Sequence, residues 1–186
     1  MLDFLIHYSG LMAIVIVWLS IILFPIFYLP VKIKEETLSK AISKNRNATK
    51  VLSFGLFISG ILSIVFLKYL TDRFDLLIAM PTSILYISMG FVTILAAFFN
   101  PLKYKKIHLS IATYYFWISP LMMLTFGTTL SHTYEKIASI ASYFCFLLYT
   151  MGAISIMFWT KKIKNTQLEI WAFLILLIWV LIMTFI

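Results

Sequence analysis

The sequence predicts an all-α membrane protein: one domain over residues 1–186, built as a six-transmembrane-helix bundle with both termini outside. Three observations predict it. The chain is 62% apolar and 12% charged, with a mean hydropathy of +1.01, where a soluble domain carries about 25% charged residues. Six stretches reach the roughly 17–25 apolar residues that cross about 30 Å of hydrocarbon. The basic residues between those stretches fall on alternate sides of the crossing.

The first span covers Phe4 to Leu29. Asp3 is the only charge near its start, and the apolar run is far longer than the roughly 7–15-residue core of a signal peptide, so it is expected to stay as a helix. The second span covers Val51 to Leu70, the third Leu76 to Phe99, the fourth Ile107 to Leu130, the fifth Ile137 to Trp159 and the sixth Ile170 to Ile186. Pro30 and Pro101 fall at boundaries, whereas Pro25 and Pro120 fall inside spans. An internal proline removes a backbone donor and bends the helix, which a membrane tolerates where a neighbour satisfies the freed carbonyl.

Orientation follows from lysine and arginine, because loops rich in them stay cytoplasmic. The loop at 30–50 carries Lys32, Lys34, Lys40, Lys44, Arg46 and Lys50; the third-to-fourth loop carries Lys103, Lys105 and Lys106; the fifth-to-sixth carries Lys161, Lys162 and Lys164. Twelve basic residues thus share one side, and Lys68, Arg73 and Lys136 hold the other. The first group is predicted to be cytoplasmic, in the plasma (cytoplasmic) membrane. Within the long loop, Glu35 to Ser43 has the pattern of a short surface helix with Leu38 and Ile42 turned toward lipid. Asn47-Ala48-Thr49 matches a glycosylation sequon but lies on the side that never meets the transferase.

Helices in lipid meet through small residues that let backbones approach. Gly55, Ser59 and Ser63 form such a stripe on the second span, widened by Gly60. Ser83, Tyr86 and Gly90 mark the third, and Ala138, Ala141, Cys145, Tyr149 and Gly152 the fifth. The fourth span is the most polar, with His108, Ala112, Tyr115 and Ser119 on one helical face. At the outer ends His7, Tyr8, His132, Tyr134, Glu135, Asp72, Arg73 and Asp75 suggest a solvated rim.

Several chemistries lack their residues. One cysteine, Cys145, rules out an intramolecular disulfide and a cysteine zinc cluster. The three histidines are divided between the two sides, which disfavours a shared metal or haem, and no cofactor or metal is predicted. The sequence has no Gly-rich phosphate loop, HExxH or GxSxG. No span carries a charge near its middle, the usual mark of an ion path. The net charge of +8 sits in short loops rather than on a soluble basic face, so no nucleic-acid partner is expected.

Three stretches resemble the six-span membrane proteins grouped as domain of unknown function 998, themselves distantly similar to the Frag1/DRAM/Sfk1 membrane proteins. Thr37-Leu38-Ser39 followed by Leu52 to Leu62, with Gly55 and Gly60, is similar to a loop "LS" and a helix "FNxGLxxxGxL". Gly90 to Phe99, then Asn100-Pro101, His108 and Phe116 to Pro120, is similar to "GxFP…H…F…P". Glu169 followed by Trp179 is similar to "PE…W". Lys40 and Ala41 stand where that family has Asp and Gly. The resemblance implies the six-span fold and carries over His108, Pro101 and Glu169 as candidate site residues, without implying a reaction.

The polar site expected on these grounds comprises His108, Pro101, Tyr104, Tyr115, Ser119 and Glu169 at the cytoplasmic side. Lys103, Lys105 and Lys106 are expected to bind anionic headgroups. The first functional expectation is a non-enzymatic bundle that binds membrane lipids, a second copy of itself or a partner subunit. The alternatives are a membrane enzyme or redox protein acting on a quinone or isoprenoid through His108, Tyr104, Tyr115 and Glu169, and a small transporter.

Overall fold

The computed structural model describes residues 2–23, 42, 44–78, 80–99, 102–131, 135–159 and 165–186, and every element among them is helical. In chain order these are α1 (Leu2–Val17), which runs on into a π-helical turn (Trp18–Leu23), α2 (Arg46–Phe74), α3 (Pro81–Phe98), α4 (Lys105–Ser131), α5 (Lys136–Trp159) and α6 (Asn165–Phe185). Among the described residues, six helices are long and apolar enough to cross a membrane. Prolines 25 and 30, Pro101, His132, Tyr134 and Lys161, Lys162 and Lys164 lie outside the described residues, as does the expected surface helix except at Ile42.

Helix ends follow local chemistry more than hydropathy. α2 starts at Arg46, ahead of the apolar run, because the Asn45 side chain caps it by accepting from the Asn47 and Ala48 amides at 3.0 and 3.1 Å. Such a cap satisfies amides that have no partner inside the helix. Its 29 residues span about 43 Å at 1.5 Å per residue. It ends where Asp75 takes the left-handed conformation (φ 51°, ψ 43°) and returns its amide to the Thr71 carbonyl. α3 begins at Pro81 rather than Leu76, since proline at the first helical position needs no amide partner. Ile42 is fully buried on Ala48 and Leu52 rather than turned to lipid, because α2 already runs beside it there.

Each helix packs on the ones before and after it, and α6 returns to α1, closing a ring. Glycines set the closest approaches. At Gly60 an added Cβ would lie 2.8 Å from the Gly90 carbonyl oxygen, so α2 and α3 touch backbone to backbone. Gly10 receives Phe66, Gly55 receives Ser20 of the π-helical turn, and Gly152 lies under the Trp171 indole.

The interior is aromatic. Trp179 of α6 is fully buried, edge-on to Phe126 at 5.2 Å, and its indole N–H donates to Ser142 Oγ of α5 at 3.0 Å. Phe66, Leu70, Met122, Met123 and Leu130 belong to the same buried cluster. The outer face is apolar too, with Phe54, Phe91, Trp117, Ile140, Phe144 and Met151 each more than half exposed. An apolar belt of that extent suits hydrocarbon rather than water.

Candidate functional site

One end of the ring gathers the starts of α2 and α4 and the end of α3. Lys44, Arg46, Lys50, Lys103, Lys105 and Lys106 are all exposed there. Lys103 sits over the Tyr104 ring at 5.2 Å, and Tyr104 meets Phe99 edge-on at 5.6 Å. His108 Nδ1 lies 3.0 Å from the Phe99 carbonyl oxygen. A carbonyl only accepts, so Nδ1 is the donor and Nε2 is left as the second ring nitrogen. His108 thereby ties the first turn of α4 to a carbonyl just past the end of α3, where no helical donor is available.

The two ends of the ring differ in how their cations are held. At the opposite end Lys68 pairs with Asp72 at 2.6 Å, and Arg73 pairs with Glu135 at 2.6 Å while donating to the Ile186 backbone oxygen at 3.1 Å. Among the described residues, Arg46, Lys50, Lys103, Lys105 and Lys106 have no carboxylate within ion-pair distance. Those five cations are left facing outward at one end.

Two of the residues singled out on one face of α4, His108 and Tyr115, sit at different levels of the bundle. Tyr104 precedes α4 on an exposed turn, and Tyr115 lies about 10 Å further along the axis than His108, at 1.5 Å per residue. Tyr115 lines a cavity of about 30 Å3 inside the ring, together with Ser59 and Ser63 of α2 and Tyr86 and Thr93 of α3. Ser119 is buried one turn beyond and donates to the Tyr115 carbonyl at 2.7 Å. Glu169 is half-buried in the first turns of α6, and Pro101 is outside the described residues. Tyr115 thus belongs to a central cavity, and Tyr104 and His108 to the basic end. Helical spacing reports the face of a residue; it says nothing of whether that face is level with the polar face next door.

Two residues carry more than their spacing announced. Tyr149, noted only as part of a packing face, donates its hydroxyl to the Phe116 carbonyl at 3.0 Å. Tyr86, noted beside Gly90, is buried and lines the cavity. Among the described residues no three His, Cys, Asp or Glu side chains gather as metal ligands. Gly55, Gly90 and Gly152 lie at helix contacts, while Ser59 and Ser63 border the cavity. In comparisons with known proteins, no family model, no curated protein and no solved structure matches this chain, so its site is read from its own geometry.

Proposed function

We propose that this chain is a non-enzymatic, multi-pass protein of the plasma (cytoplasmic) membrane, with both termini outside, whose cytoplasmic end binds anionic lipid headgroups through Lys103, Lys105 and Lys106. The observation that carries the reading is the contrast between ends. Arg46, Lys50 and the three lysines stand without carboxylate partners among the described residues at one end, whereas at the other Lys68 and Arg73 are paired and Lys136 alone is without one. Each lysine or arginine near an anionic leaflet contributes on the order of 1 kcal/mol. The resemblance to the domain of unknown function 998 family belongs to this proposal, supported by the six-helix architecture.

A quinone-directed enzyme finds less support. A ring-sized ligand occupies a cavity on the order of 150 Å3, several times the space beside Tyr115.

Native mass spectrometry of protein purified in mild detergent tests the proposal. Phosphatidylglycerol or cardiolipin should stay bound and be lost in high salt, and the triple variant Lys103→Gln, Lys105→Gln, Lys106→Gln should retain far less. Equal retention by the parent and the variant, or a bare parent protein, would end this reading.

A further inference from the structure

At mid-height in the ring, α1, α2, α3, α4 and α6 leave a cavity of about 30 Å3. Most of its wall is apolar, from Gly10, Ala13, Ile14, Met89, Leu176 and Val180. Against that wall stand the side chains of Ser59, Ser63, Tyr86 and Tyr115, and none of their hydroxyls has a hydrogen-bond partner among the described residues. Ser59 is 2% exposed and Tyr86 5%. Thr93 borders the same space but is satisfied, donating to the Met89 carbonyl at 2.8 Å.

Ser59 and Tyr86 are buried and Ser63 and Tyr115 half-buried, and polar groups so placed in folded proteins almost always find partners. Elsewhere in this chain's interior, with the exception of the Trp171 indole N–H, buried donors find partners. Tyr149 reaches the Phe116 carbonyl, Ser139 the Gly127 carbonyl at 2.8 Å, and Trp179 the Ser142 hydroxyl. Where direct bonds across helices fail, a small guest that both donates and accepts is the remaining way to satisfy the group.

We propose that this cavity is a binding site for two water molecules, which hydrogen-bond Ser59, Ser63, Tyr86 and Tyr115 and so join α2, α3 and α4 at the centre of the bundle. The size fits, since one water needs roughly 10–15 Å3 of such space. The valence fits as well. Two waters bonded to each other, with two hydroxyls apiece, make about three hydrogen bonds each, the usual number for buried water. The wall carries no carboxylate, ammonium or imidazole, so a neutral guest suits it and a bare ion does not. The hydroxyls can turn to donate or accept as the waters require.

The test uses the sign of a stability change, because a dry and a wet cavity predict opposite ones. Removing an unpartnered buried hydroxyl relieves a desolvation penalty, whereas removing one that holds a water leaves that water short of a bond. Thermal unfolding of the whole protein in mild detergent should therefore show a lower midpoint for Tyr86→Phe and for Ser59→Ala. A raised midpoint in both variants would overturn the proposal. The unaltered protein supplies an independent check: a crystal structure with resolved water should place two density peaks within hydrogen-bond distance of the four hydroxyls. An empty cavity there would overturn it equally.

Discussion

Pro120 denies α4 one hydrogen bond, since its ring nitrogen has no proton to give the Phe116 carbonyl one turn earlier. Tyr149, from α5, supplies the missing donor at 3.0 Å. In hydrocarbon, where no solvent can stand in, such a repair decides whether an internal proline is tolerated. Tyr149→Phe should cost about 1 kcal/mol, within the range for interhelical hydrogen bonds in membranes. With Pro120→Ala the helix regains its own amide donor, so the tyrosine hydroxyl becomes nearly dispensable. A double-mutant cycle of unfolding free energies reads this directly; strictly additive effects would show that the two residues are not coupled. The proline and its need for a donor were legible in the sequence. The identity of the donor was not, because it comes from another helix whose rotation and height no single-helix pattern contains.

At the scale of elements, contact between helices is governed by how little stands between their backbones. Gly60 of α2 faces the Gly90 carbonyl of α3, and a methyl group there would meet backbone at 2.8 Å and Ile94 Cγ1 at 2.5 Å. Gly127 of α4 is less tightly held, with its nearest neighbours the atoms of the Tyr143 ring at 3.2 Å. Gly60→Ala should therefore destabilise the bundle by about 1–3 kcal/mol, the usual range for overpacking, and Gly127→Ala by clearly less. Unfolding in detergent compares the two, and equal losses would contradict the backbone-contact argument. Small residues at helical spacing made these faces readable in advance. Helix limits were less readable, because α2 and α3 are bounded by the Asn45 cap, the left-handed Asp75 and Pro81, all outside the apolar pattern. The central cavity was hidden for a related reason: Ser59, Tyr86 and Tyr115 sit singly on three helices and become a group only when those helices are brought level.

Across the whole molecule, charge is sorted by end. Arg73 links the last turn of α2 to Glu135 and to the Ile186 backbone oxygen, which ties three chain segments at the end away from the exposed lysines. Both partners of that ion pair are about one-third exposed, so Arg73→Ala should lower stability by no more than about 1 kcal/mol. Raising salt should shrink the difference between variant and parent, since screening weakens an exposed pair; a difference unchanged by salt would point to packing instead. The alternation of basic loops was visible in the sequence because ionised lysine and arginine are kept out of hydrocarbon. What surrounds those loops was not, since their neighbours come from distant parts of the chain.

Closure of the ring has a topological consequence. α6 lies against α1, and the Tyr8 and Phe185 rings meet at 6.2 Å, so the helical order is a cycle with no privileged first member. The even number of long helices among the described residues also puts the start of α1 and the end of α6 at the same level. A gene rearranged to join those two points through a short flexible linker, and reopened between any other pair of helices, would still make every neighbouring contact of the parent.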